Sequence, residues 1–116
     1  MTDRKLLELA AKAAGIEVTY EHVGVADGYS TKDGVAWNPL TDDGDALRLA
    51  VKLRLTVRQD DPDASISGIH ALQQGAPTVD GYGPWFCKEW HRDSDPYAAT
   101  RRAIVRAAAE IGKEMK

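Results

Sequence analysis

Cysteine is almost absent from this chain of 116 residues, which contains Cys87 and no other. A single cysteine cannot form an intramolecular disulfide, and it fits a protein that folds in a reducing compartment. No apolar run approaches the roughly 20 residues that a membrane-spanning helix needs. The first residues mix acidic side chains with a broken apolar pattern, so we expect no signal peptide. These absences predict a soluble cytoplasmic protein with no membrane contact.

Positive charge is not in excess either. The chain has 15 lysines and arginines against 18 aspartates and glutamates, for a net charge of −3. A dedicated nucleic-acid binder usually carries a basic excess, which this chain as a whole lacks. The charges are unevenly placed, because aspartates concentrate over residues 42–63 whereas Arg101, Arg102 and Arg106 lie near the end. A local basic face therefore stays open as an alternative.

Signature motifs of nucleotide binding and hydrolysis are missing as well. The sequence contains no GxxxxGK[ST] loop, no GxGxxG turn, no GxSxG elbow and no HExxH helix. We therefore expect no cofactor, no resident metal and no enzymatic activity. The length is that of one ordinary domain, and 43% hydrophobic residues with 28% charged residues suit a globular protein. We predict a single domain over residues 1–116.

Three segments have the apolar spacing of amphipathic helices. They are residues 3–14, a segment that runs to about Arg54, and a final helix that begins at the sequence Asp-Ser-Asp-Pro ending in Pro96. Gly15 is placed to end the first helix, and Pro96 suits the first turn of the last one. Side-chain oxygens precede each segment and can cap it. The candidate caps are Thr2 or Asp3, Thr41 or Asp42, and Ser94 or Asp95.

We expect the apolar faces of the second and third helices to be buried. The wide face of the second helix comprises Ala46, Leu47, Leu49, Ala50, Val51 and Leu53. The stripe of the third helix comprises Tyr97, Ile104, Ala108, Ile111 and Met115, widened by Ala103 and Ala107.

Segments with a period of two between the helices predict strands. They cover residues 16–25, 35–37, a segment from 55 that ends in a turn at 60–63, 65–70 and 85–91. Residues 26–34 and 71–84 are rich in glycine and polar side chains and are predicted loops, with 16–25 and 35–37 paired as a hairpin across the first of them. The resulting order, α-β-β-α-β-β-β-α, predicts an α+β fold in which a small, single-layer, mostly antiparallel sheet is sandwiched by about three helices.

An acidic cluster opens the second helix at Asp42, Asp43 and Asp45. Carboxylates suit Mg²⁺ or Ca²⁺, but the spacing does not fit an EF-hand loop. Capping of the helix amides and interaction with the helix dipole explain the same residues, and we favour that interpretation. The aspartates at 60–63 flank a proline and are interpreted as a turn in the same way.

Two stretches together resemble a known group of proteins. One is the Trp37-Asn38-Pro39 segment followed by a capped helix to residue 53, and the other is the alanine-rich segment 95–107 with its Ala-Ile-Val-Arg-Ala-Ala string. They resemble small proteins of tailed phages and prophages in the phage α/β/α (ABA) sandwich domain group. The resemblance implies a helix–sheet–helix fold without an assigned activity, so it carries over no catalytic residue and no cofactor.

A small hydrolase is the least favoured hypothesis. Cys87, Glu89 and His91 alternate along a predicted strand and would share one face. A thiol, a base and an orienting carboxylate are the components of a cysteine nucleophile. However, the first and last of these residues lie ~13 Å apart on a strand, which prevents direct contact.

Aromatic side chains concentrate next to the second predicted loop, beside cationic ones. We assign an interaction surface to Tyr82, Trp85, Trp90, Arg92, Arg101 and Arg102. Tryptophan and tyrosine anchor protein interfaces, although the same rings also serve as core residues. Aromatic rings beside cations could instead stack nucleobases. Our leading hypothesis is a non-enzymatic phage or prophage accessory protein that binds a host or phage protein, and the alternative is a nucleic-acid-binding module.

Overall fold

The computed structural model describes residues 2–23, 26–59, 69–73, 87–89 and 95–115. The elements formed by these residues confirm the α+β class and the three helices. In chain order they are α1 (Asp3–Ala14), β1 (Val18–Val23), β2 (Ala26–Thr31), β3 (Ala36–Trp37), α2 (Asp43–Leu53), β4 (Leu55–Gln59), β5 (Ile69–Gln73), β6 (Cys87–Glu89) and α3 (Pro96–Glu114). None of the described helices combines the length and the apolar character needed to cross a bilayer.

The described strands form two antiparallel sheets of three strands each. The first sheet has the order β1-β2-β3, with Tyr20 opposite Tyr29 and Tyr29 opposite Trp37. The second has the order β4-β5-β6, with Ala71 opposite both Val57 and Cys87. All strand pairs are antiparallel, as predicted, but α2 separates the two sheets along the chain.

The predicted loop at 26–34 was wrong for residues 26–31, which form β2. This strand is the centre of the first sheet, so the predicted direct pairing of 16–25 with 35–37 was wrong too. The local composition of β2 favours a turn, but pairing on both edges and burial of Tyr29 outweigh it. The true turn is shorter: the Gly34 N–H donates to the Thr31 carbonyl over 2.9 Å, and Gly34 takes a φ of 81°. Residues 71–73 likewise belong to β5 and not to a loop.

The structure confirms that each helix is capped by a residue predicted from the sequence. Thr2 Oγ1 accepts from the Lys5 N–H, and Gly15 ends α1 with a φ of 71°. Asp42 caps α2, and Asp95 Oδ1 accepts from the N–H of Ala98 to cap α3. Short polar side chains satisfy first-turn amides that no helical carbonyl reaches, which is why these starts can be located from sequence.

The central part of α3 is buried on two opposite faces. Ala103 and Ala107 pack with Ala71 of the second sheet. Val105, Ala108 and Ala109 face the other way, into a core shared with α1 and α2. Small side chains let α3 approach both layers closely. The predicted single stripe was therefore too narrow in the middle of this helix.

The predicted burial of the two ends of the α3 stripe was wrong. Tyr97 is 70% exposed and Met115 is also exposed, because they lie in the terminal turns, beyond the layers that cover the centre. Two residues of α2 that were predicted to lie in the core are also exposed. Leu47 is 64% and Val51 70% exposed, since the core of this chain covers only the Ala46, Leu49, Ala50 and Leu53 side of that helix.

Gly112 sets the distance between α1 and α3. A Cβ atom built on Gly112 would overlap the backbone carbonyl of Leu9 in α1. The obstructing atoms belong to backbone, so the contact cannot be relieved by a side-chain rotation. The two helices must move apart to accept any side chain at this position.

We expect Gly112→Ala to lower the free energy of unfolding by ~2–4 kcal/mol, as overpacking at a backbone contact does. Glycine to alanine inside a helix ordinarily stabilises by up to ~1 kcal/mol, so the sign is diagnostic. Gly44→Ala in α2 is the control, because its Cβ would meet the ends of two side chains, Arg48 and Asp42, at 3.2 Å and would meet no backbone atom at that distance. Urea unfolding at one fixed protein concentration measures both. A stabilising Gly112→Ala would contradict the close helix contact.

Candidate functional site

The acidic cluster at the start of α2 makes structural contacts within the chain. Asp42 Oδ2 accepts from the Asp45 N–H over 2.8 Å and so caps the helix. Asp43 Oδ1 lies 2.6 Å from a guanidinium nitrogen of Arg101 in α3. These contacts confirm capping for Asp42. The part of the chain that the structure describes holds no group of three or more His, Cys, Asp or Glu residues arranged to bind a metal.

Asp45 is the buried member of the cluster, with 9% of its surface exposed. Its Oδ2 accepts from the backbone N–H of Asn38 over 2.9 Å, and its Oδ1 accepts from Arg48 over 2.8 Å. Asn38 also folds the intervening turn: its Oδ1 accepts from the Leu40 N–H, and its carbonyl accepts from the N–H of Asp42. The carboxylate thus ties the end of β3 to the first turn of α2.

The turn from Asn38 to Asp45 also binds the last helix. Arg101 Nε donates to the carbonyl of Leu40 over 2.8 Å while the same guanidinium pairs with Asp43. The Arg101 side chain is mostly buried. Arg101 therefore joins α3 to this turn at two residues, Leu40 and Asp43. Its position is explained by these contacts and not by a solvated helix face.

Arg101 and Arg102 are the two residues of the predicted interaction surface that the structure describes. Arg102 pairs with Asp3 at the start of α1, with 3.0 Å between the nitrogen and Oδ1. Both guanidinium groups are thus neutralised by carboxylates of this chain. The other four, Tyr82, Trp85, Trp90 and Arg92, lie outside the described residues, as does His91 of the hydrolase hypothesis. Cys87 lies in β6, opposite Ala71.

An apolar groove lies between α2, β4 and α3, with a volume of about 260 Å³. Its lining residues are Asp43, Ala46, Leu47, Ala50, Val57, Tyr97, Thr100, Arg101 and Ile104. Leu47 and Tyr97 are largely exposed, and Val57 is partly so. The Arg101–Asp43 pair is the charged group among the lining residues. Sequence reasoning missed this groove because it assigned Leu47 and Tyr97 to the core.

A second polar network joins α1 to the first sheet. The Tyr29 hydroxyl donates to Glu8 Oε1 over 2.5 Å, and Arg4 pairs with the same carboxylate while its guanidinium lies 4.0 Å from the centre of the Tyr20 ring. Burial, together with the hydrogen bond to Glu8, raises the pKa of the Tyr29 phenol. Every polar group in this network has a partner within the chain, so we interpret it as a structural contact.

Comparison with known proteins adds no identity: no family model, no curated protein and no solved structure matches the chain. The resemblance to the phage α/β/α sandwich group therefore stays a prediction. Function has to be argued from the surfaces that the fold presents.

We expect Asp45→Asn to lower the free energy of unfolding by ~1–3 kcal/mol, because it weakens a buried charge-assisted pair of hydrogen bonds at constant volume. Asp43→Asn is the matched control. It removes an ion pair whose carboxylate is mostly exposed, and we expect a loss of at most ~1 kcal/mol. Chemical unfolding followed by circular dichroism measures both variants. Equal losses, or a larger loss for Asp43→Asn, would contradict the anchoring role of Asp45.

Proposed function

We propose that the chain is a phage- or prophage-encoded accessory protein that acts in the bacterial cytoplasm by binding another protein. The observation that carries the proposal is the apolar groove between α2, β4 and α3 with the exposed Leu47, Val51 and Tyr97 beside it. Contiguous exposed apolar surface is unusual on a monomer and marks sites of protein association. Phage origin and cytoplasmic action are supported by the sequence resemblance and by the single cysteine.

The chemistry of the groove suits an apolar side chain from a folded partner. Ala46, Ala50 and Ile104 form apolar walls, and Tyr97 supplies a large ring with a polar tip of the kind that anchors interfaces. The Arg101–Asp43 pair offers a donor and an acceptor for the partner's backbone at the edge. A small apolar centre with a polar edge is the usual arrangement of protein interfaces.

The nucleic-acid alternative has less support. Two arginines of the last helix, Arg101 and Arg102, lie against Asp43 and Asp3, which would repel phosphate groups. Binding nucleic acid there would require breaking both pairs. The hydrolase alternative gains no support either, because Cys87 lies in β6 and His91 lies outside the described residues.

Photo-crosslinking in bacterial cells tests protein binding at this surface. A photo-reactive amino acid at position 47 or 97 is expected to give discrete protein adducts on illumination. The same amino acid at position 35 is the control, because Val35 is 62% exposed but lies in the turn between β2 and β3, away from the groove. Adducts that are absent, or that form equally from position 35, would contradict the proposal. Adducts with nucleic acid would favour the alternative.

A further inference from the structure

The outer surface of α2 carries a stripe of four residues, Asp43, Leu47, Val51 and Arg54. The spacing of four residues keeps Asp43, Leu47 and Val51 on one side of the helix, and Arg54 follows directly after the last helical residue. The two apolar members are 64% and 70% exposed, and the two charged members are exposed as well. Within the described residues Arg54 forms no ion pair, whereas Asp43 Oδ1 pairs with Arg101. We call these four residues the α2 stripe.

The α2 stripe is acidic at its N-terminal end, apolar in the middle and basic at its C-terminal end. It extends over ~16 Å at the helical rise per residue. Two copies related by a two-fold axis through the middle of the stripe would run antiparallel. Leu47 would then lie opposite Val51 of the second copy, and Asp43 would lie beside Arg54 of the second copy. Each of these contacts occurs twice, as a two-fold interface requires.

The helix dipole also favours the antiparallel arrangement of the two α2 stripes. Antiparallel helices place the negative C-terminal end of each dipole next to the positive N-terminal end of the other. A parallel arrangement would instead set Asp43 against Asp43 and Arg54 against Arg54.

We infer that a second copy of this chain covers the α2 stripe, in an antiparallel two-fold dimer whose apolar contact continues from Leu47 into the groove. This inference rests on the proposed function, because it names the protein that covers the exposed apolar surface. In an antiparallel pair the acidic end of each α2 stripe faces the basic end of the other. This charge complementarity favours a second copy over a partner of arbitrary sequence.

Sedimentation equilibrium of the purified full chain over a concentration series tests the dimer. Wild type is expected to show the mass of two chains. Val51→Glu is expected to raise the dissociation constant ~100-fold or more, because it sets a carboxylate into the apolar centre of both halves. Val35→Glu is the matched control and should leave it unchanged. A wild-type protein that stays monomeric, or equal effects of the two substitutions, would overturn the inference.

Charge exchange tests the antiparallel register. Arg54→Asp makes both ends of the stripe acidic, and Asp43→Lys makes both ends basic, so each variant alone should dissociate more readily than wild type. Mixed together, they should form a heterodimer in which each end again faces the opposite charge. Asp43→Asn controls for loss of the Arg101 pair, and circular dichroism checks folding. Failure of the mixture to associate better than either variant would overturn the antiparallel arrangement.

The crosslinking experiment separates failure of this inference from failure of the proposed function. Adducts from position 47 with the mass of two chains support the dimer. Adducts with a different protein only, together with a monomeric purified chain, would overturn the dimer while leaving protein binding intact. The absence of any adduct from positions 47 and 97 would contradict both.

Discussion

The buried carboxylate of Asp45 is the interaction on which the arrangement of the other elements depends. It accepts from the backbone of Asn38 and from Arg48, so the first sheet, the turn and α2 meet at one side chain. A buried carboxylate costs free energy unless it is fully hydrogen bonded, and here both oxygens have donors. The same turn then receives Arg101 from α3. Because Asp45 fixes how α2 leaves the first sheet, it also fixes which side of α2 faces the core and which side stays exposed.

The last helix completes the fold by filling the space between two layers. Alanines on one face of α3 meet the second sheet, whereas Val105 and Ala109 meet the core that contains α1. Gly112 permits a close backbone approach to Leu9 in α1. Beside this dense arrangement of small residues, apolar groups in the groove next to α2 remain in contact with solvent. The proposed interface is thus apolar surface that one copy of the chain does not cover by itself.

Local signals made the helices predictable. Thr2, Gly15, Asp42 and Asp95 act within one turn of their own position, so their roles follow from the adjacent sequence. The strand β2 was missed because its stability comes from pairing on both edges, which no local composition records. The groove was missed because it is formed by three separate elements of the chain. Periodicity places Leu47 on an apolar face of α2, but it does not show whether another part of the chain covers that face. The aromatic residues predicted to bind a partner lie outside the described residues, so that part of the predicted surface stays a prediction.

Native-state hydrogen exchange at the Asn38 amide tests most directly whether Asp45 anchors the turn. Asn38 lies outside any helix, and in a surface turn its amide would exchange rapidly. Because its N–H donates to a buried carboxylate, we predict protection comparable with that of the Leu49 and Ala50 amides in the centre of α2. Rapid exchange at Asn38 while those helical amides stay protected would show that the Asp45 contact does not hold the turn, and would contradict the account.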